Sequence, residues 1–435
     1  MKLNNKLKEI NTYPFHMPGH KRNSDFGIIG AEIDITEIDG FDNLHRPESI
    51  LSELEKRTAD IYGSKKSILS VNGSTCCILS AISAVCKKGD TIIIARNCHK
   101  SVYNACFINE LNTVYIEPEF CSALGIYTKI TQKTVDTAVE NYPAAKAIVI
   151  TSPTYEGIVS EIKADIPIIV DAAHGSHFGC AEIFPAQAHS DIVINSLHKT
   201  LPSLTQTAVI HINNEKYMDA VKKYMDIFES SSPSYVLLAS IEKCIEFLEN
   251  SQTSFNEYKL LLNGFYKELS NIKSIQVLKN DDPSRIIISA DGYGGTELSH
   301  HLRKNGIEAE GYGLNYVILI STVCDSEKGF EVLIQALKHL EKRKKQQISF
   351  DKIKLPEKEY NIWEIQSTQQ TEFKNSSGKI SGEYVFAYPP GVPIIAPGEI
   401  ISNDIIDYIN TLIAKGINII SDNNLLPHSI LTKYD

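Results

Sequence analysis

Several features that would each point to a class are missing from this chain of 435 residues. No unbroken apolar run approaches the roughly 20 residues that a membrane-spanning helix needs. The basic start Met1-Lys2-Leu3-Asn4-Asn5-Lys6 is followed by no apolar stretch of signal-peptide length. There is no Cys-x-x-Cys, so a structural zinc site has no support, and the nine cysteines are an odd number without framework spacing. Cys76, Cys77, Cys86, Cys98 and Cys106 fall in core-like patterns, which reads as reduced cytosolic thiols rather than disulfides. Excess positive charge is also lacking: the formal net charge is −10, which argues against nucleic acid or anionic membrane as the main partner. No Gly-x-x-x-x-Gly-Lys occurs, and Gly292-x-Gly294-Gly295 and Gly311-x-Gly313 stand outside a strand–turn–helix context. Internal repeats and low-complexity segments are absent too. What is present is ordinary globular composition, 43% hydrophobic and 22% charged, with length for two or three domains. The chain reads as a soluble cytoplasmic protein.

The middle of the chain alternates. Ser67–Val71, Asp90–Ile94, Thr113–Ile116 and Ala147–Thr151 read as strands, with helices from Cys76 to Cys86, from Cys98 to Phe107 and over 131–141. Strands alternating with helices predict βαβ units and a mostly parallel sheet, hence an α/β fold. Residues 1–45 read as an arm, with Phe15–Arg22 rich in turn and basic residues and with acids at Asp34, Glu37, Asp39 and Asp42. The large domain is expected over 46–282 and a smaller α+β domain over 283–435. Helices are expected at 214–227, 235–250 and 253–271, with the turn Ser230-Ser231-Ser232-Pro233-Ser234 between the first two. That turn would cap a helix or donate to a phosphate. The run Asn72-Gly73-Ser74-Thr75 joins a strand to a helix N-terminus, where unpaired amides and the helix dipole suit an anion; simple N-capping fits it equally.

The chemistry concentrates at Asn195-Ser196-Leu197-His198-Lys199-Thr200, between the apolar runs Asp191–Ile194 and Thr207–Ile212. A lysine at such a junction is costly to desolvate unless its amine is neutral or used covalently. Upstream, Ile166–Val170 ends in Asp171-Ala172-Ala173-His174, placing a carboxylate at the C-terminal end of a probable parallel strand, the edge where open α/β sheets bind ligands. A Schiff-base lysine with an aspartate for a pyridinium nitrogen is what pyridoxal 5′-phosphate (PLP) requires. Taken singly, the lysine also fits a surface loop and the aspartate a helix cap.

Together these stretches resemble the Orn/Lys/Arg decarboxylases, PLP enzymes of the aspartate-aminotransferase fold (fold type I). The resemblance lies in Phe15–Arg22, Asn72–Thr75, Arg96–Ser101, Ser152–Tyr155, Asp171–His177, Ser196–Lys199, Ser230–Tyr235 and Tyr388–Glu399, in the family's order. It is nearest the short form found as biosynthetic arginine decarboxylase, without the extra N-terminal domain of the large inducible enzymes, so the resemblance does not extend to their ring assemblies. The resemblance implies that Lys199 holds PLP, Asp171 pairs the ring nitrogen, Ala173 packs beneath the ring and His99 stacks on it. It implies Ser74, Thr75, Ser196 and His198 at the phosphate, with Ser231 or Ser232 arriving from a second subunit, and His174 near the phenolic oxygen. Lys199 or His198 would return a proton to the α-carbon. For a small basic substrate it implies Glu399 as charge partner, with His16 and His20 of the arm contributing and Asp39 or Asp42 behind them. Thr200-Leu201-Pro202-Ser203 departs from relatives with small residues there, which bears on loop shape and substrate choice.

The expected activity is decarboxylation of arginine, then lysine or ornithine, for polyamine supply, by a homodimer with shared sites. Transamination is an alternative, with Arg285 or Arg303 for a carboxylate. A more distant one is a metal hydrolase using Asp171, His174, His177 and His198, which leaves Lys199 without a use. No metal is expected in the favoured reading.

Overall fold

A computed structural model describes residues 2–344, 350–387 and 391–434. Tyr388-Pro389-Pro390, part of one predicted motif, lies outside the described residues. The chain forms two compact units, 1–85 with 167–256 and 86–166 with 257–435.

In the first unit the strands lie in the order Lys66–Ser70, Ala208–Ile212, Ile192–Ser196, Ile168–Asp171. The last two pair in parallel with Asp171 opposite Ile194, while Ala208–Ile212 runs antiparallel to both of its neighbours. Val and Ile dominate because these strands are covered on both faces; Ile192, Ile194, Val209 and Ile210 are all fully buried. Helix Gly73–Val85 buries Cys76, Cys77, Ile78, Ala81 and Ile82, which explains its apolar cysteines. Helix Ile50–Tyr62 begins three residues after Pro47. Its start is set by Asp42, whose carboxylate accepts from the amides of Glu48 (2.9 Å), Ser49 (2.7 Å) and Leu51 (3.0 Å).

The predicted arm is only partly an arm. Helix Leu3–Lys8 buries Leu3 and Leu7, and its first amides, those of Leu3 and Asn4, donate to the Glu242 carboxylate at 2.6 and 2.7 Å. Beyond it, Phe15, Met17, Phe26 and Ile29 are strongly exposed.

In the second unit Ala147–Thr151, Thr91–Ala95 and Asn112–Ile116 lie in that order and pair in parallel. An antiparallel sheet of Ile275–Val277, Arg285–Ala290, Val317–Ile320 and Gly311–Tyr312 follows, with helices Gly295–Lys304 and Glu327–Lys338. The C-terminal stretch closes a separate apolar cluster of Phe373, Val385, Ile395, Ile401, Ile405, Ile409 and Ile430. Residues 86–166 pack with this later chain rather than apart from it, through Arg96–Glu399, Thr113–Asn361 and Tyr155–Glu310 contacts. The five strands Thr91–Ala95, Asn112–Ile116, Ala147–Thr151, Ile168–Asp171 and Ile192–Ser196 thus carry the parallel pairing expected of an α/β fold, while Lys66–Ser70, Ala208–Ile212 and the sheets of the later α+β portion pair antiparallel. Among the described residues no helix is long and apolar enough to cross a membrane, and no disulfide forms.

Candidate active site

The C-terminal ends of the parallel strands Ile168–Asp171 and Ile192–Ser196 gather most of the predicted side chains in the first unit. Asp171 is 4% exposed, and burial pushes its carboxyl up while Lys199 and the Ala173 amide draw it back. Ala173 N donates to Asp171 Oδ1 at 3.2 Å. The turn after Asp171 is laced to the neighbouring strand: Asn195 Nδ2 donates to Ala172 O and Ser176 Oγ to Ser196 O, each at 2.8 Å. Lys199, on the short helix Leu197–Thr200, has its Nζ 2.9 Å from His174 Nε2. Burial lowers the pKa of His198, the neighbouring Lys199 adds to that, and only the hydrogen bond to Thr207 O opposes it. Its Nδ1 lies 3.0 Å from that carbonyl, so this nitrogen carries the hydrogen of a neutral ring.

The predicted anion turn is tied to the same region. Gly73 has φ +75°, which glycine adopts without strain, and its amide donates to Gln206 O at 2.8 Å. The next carbonyl, Thr207 O, accepts from Leu197 N and His198 Nδ1. Residues 206 and 207 therefore hold both the Asn72–Thr75 turn and the lysine segment. Glu229, which the sequence reading passed over, braces that turn: its Oε2 accepts from Ser70 Oγ at 2.6 Å and Val71 N at 3.3 Å. Its only sequence signal is an acid beside a hydroxyl run.

Other predicted residues are placed differently. Ser234, rather than Ser231 or Ser232, caps helix Tyr235–Glu249, leaving the latter two exposed. In the arm, both His20 nitrogens are engaged, with Asp34 Oδ2 at 3.2 Å and Arg22 N at 3.0 Å. His16 Nδ1 lies 2.5 Å from Met17 O. Asp42, a weaker substrate candidate, is spent as the helix cap described above. His99 and Glu399 belong to the second unit. His99 caps helix Lys100–Ile108 by accepting from Ser101 N, and Glu399 is paired with Arg96. Among the described residues no three His, Cys, Asp or Glu side chains gather as a metal-ligand set.

The residues of the first unit fit PLP. Ser196 Oγ is fully buried without a hydrogen-bond partner among the described residues, a donor suited to an anion. Asp171 is a buried carboxylate suited to a ring N–H, and Lys199 is an amine held by a histidine.

Solved structures identify the fold. The Escherichia coli constitutive lysine decarboxylase superposes with a TM-score of 0.84 at 18% identity, over 99% of this chain and 81% of that one. A structure described as SPT with PLP superposes with a TM-score of 0.53 at 14% identity, over 66% and 75%. The fold is the α/β fold type I of PLP-dependent enzymes, with a smaller α+β portion at the C-terminal side.

Sequence narrows this further. An arginine decarboxylase of Bacillus subtilis is 31% identical over 441 residues, 91% of this chain and 89% of that protein. Residues 3–281 match the Orn/Lys/Arg decarboxylase major domain and residues 330–418 its C-terminal domain. The chain belongs to the Orn/Lys/Arg decarboxylase family.

Proposed function

We propose that this protein is a PLP-dependent decarboxylase of a basic amino acid, arginine first and then lysine or ornithine. The observation that carries the reading is the Asp171–Lys199–His174 arrangement at the ends of two parallel strands. When bound, PLP supplies the sink for the electrons released with CO₂. Lys199 is the residue to hold it covalently, and His174 orients the lysine amine. Asp171 is placed to keep a ring nitrogen protonated, and its burial strengthens that interaction. Ser196, with Ser74 and Thr75 at the Gly73 turn, would receive the phosphate; the ring-stacking role of His99 rests on the family resemblance alone. Lys199 Nζ is the better proton donor to the α-carbon, because the Nδ1–H of His198 is committed to Thr207 O.

Arginine leads because relatives matched over about nine-tenths of the chain include arginine decarboxylases, whereas the lysine decarboxylases match about half of it. Transamination draws no specific support from the site. A cytoplasmic homodimer sharing active sites is part of the proposal. Phe15, at 91% exposure, and Ile29, at 99%, give the arm an apolar surface that a second copy would bury. Ser231 and Ser232, exposed on one copy, would then be available to the other.

The test is the visible absorbance of the purified protein with PLP, followed by CO₂ release from arginine, lysine and ornithine. A cofactor band lost in Lys199→Ala, with CO₂ from one of the three, is the expected result. A band without CO₂ from any of them would turn the assignment to transamination.

A further inference from the structure

The second unit contains a buried charged cluster that the proposed chemistry does not use. Arg96 directly follows strand Thr91–Ala95 and is 3% exposed. Its Nη1 donates to Tyr103 Oη at 2.7 Å and its Nη2 to Glu399 Oε2 at 2.9 Å. Tyr103 Oη donates back to Arg96 O at 2.8 Å, and Arg96 N donates to Ile116 O at 2.9 Å. Arg96 is thus held at its amide, its carbonyl and its guanidinium. Tyr103, in the first turn of helix Lys100–Ile108, is held to it. His99 lies between these two fixed points. Its ring is set in turn by Ser101, whose amide donates to Nδ1 at 3.2 Å and whose Oγ lies 2.9 Å away.

Glu399 is equally confined. Its Oε2 also accepts from Ala396 N at 2.7 Å, and the residue is 0% exposed. The preceding Gly398 has φ +88°, and an added Cβ would meet Tyr360 O at 2.3 Å, so the Pro-Gly-Glu turn is fixed tightly against Tyr360. The second oxygen, Oε1, is buried too, without a hydrogen-bond partner among the described residues. A substrate cation using this carboxylate would sit beside an arginine that never loses its charge, leaving two buried cations on one anion.

We infer that Glu399, through Arg96 and Tyr103, is a positioning residue that fixes the backbone carrying His99, and that it does not recognise the substrate's cationic side chain. This rests on the PLP-decarboxylase reading above. Recognition of the substrate charge then falls to another carboxylate.

The test uses PLP-loaded enzyme and compares wild type, Glu399→Gln, Arg96→Met and the double substitution Arg96→Met with Glu399→Leu. Each is measured for kcat and KM with arginine, and for preference over citrulline, its uncharged near-isostere. Misplacing His99 predicts a kcat lower by about 10- to 100-fold in Glu399→Gln. KM for arginine should stay within about threefold, with the preference over citrulline kept. The double substitution should regain the melting temperature lost in Arg96→Met alone and keep the same preference. Should Glu399→Gln fail to fold, the double substitution carries the same readouts. A KM raised by about 100-fold or more with the preference gone would overturn the inference, and so would an unchanged kcat. If wild type releases no CO₂ from any of the three amino acids, the parent reading has failed. Amide exchange then decides: residues 96–103 should exchange at least about tenfold faster in Glu399→Gln, and unchanged exchange would refute the positioning role.

Discussion

Asp171 and Glu399 are both carboxylates buried beside a cation, and burial pushes both upward. They differ in the partner. Asp171 faces Lys199, an amine that can give up its proton and form a covalent bond, and that amine is itself held by His174. Glu399 faces Arg96, a guanidinium that does neither and donates in a fixed fork. In the proposed reading, similar burial serves a reactive lysine in one unit and a bracing arginine in the other. The difference lies in the chemistry of the cation, not in the depth of the acid.

Deleting each cation separates the two. Lys199→Ala should lower CO₂ release by on the order of a thousandfold or more, with a thermal midpoint near that of wild type. Retained turnover would place Lys199 outside the chemistry. Arg96→Met should instead cost about 3–5 kcal/mol in urea unfolding, because it strands Glu399 as a buried unpaired charge. A loss below about 1 kcal/mol would show that the pair is not bracing.

A buried titratable group without a charged partner among the described residues sharpens the contrast. His211 stacks on Tyr62 at 4.4 Å between centroids, and burial lowers its pKa from 6.5 to about 3. The unfolded chain takes up this proton near pH 6.5 and the folded one only near pH 3, so stability falls as pH drops through that window. The slope is about 1.4 kcal/mol per pH unit, and His211→Gln should remove it from a urea titration between pH 6 and 4. The smallest effect belongs to Asp42. Burial alone would raise its carboxyl, but the amides of Glu48, Ser49 and Leu51 more than offset this and lower it. Its support of helix Ile50–Tyr62 is complete above the unfolded pKa of 3.8 and lost as pH falls through the lower folded value. Asp42→Ala should cost about 1 kcal/mol at neutral pH by thermal melting, and the difference from wild type should shrink in acid.

Much of this was legible beforehand. The strands were readable because a strand covered on both faces must be apolar throughout, as Ile92–Ile94 and Ile192–Ile194 are. Asp171 and Lys199 stood out because charged residues bordering such runs are costly without a use. Arg96 borders a strand in the same way and was equally visible, but its partner lies about 300 residues later. Nothing local in Pro-Gly-Glu distinguishes a substrate carboxylate from a structural one. Asp42 looked like one of several arm acids until its amide partners at the start of helix Ile50–Tyr62 were seen. Glu229 carried no pattern of its own.

The sequence by itself determined the order of elements, the family and the residue types at the candidate centre, because those follow from local periodicity and short motifs. The tertiary structure alone decided which acid meets which base. A carboxylate's role depends on its neighbours in space, and the pairings of Glu399 with Arg96 and of Glu242 with the first helix join residues remote in the chain.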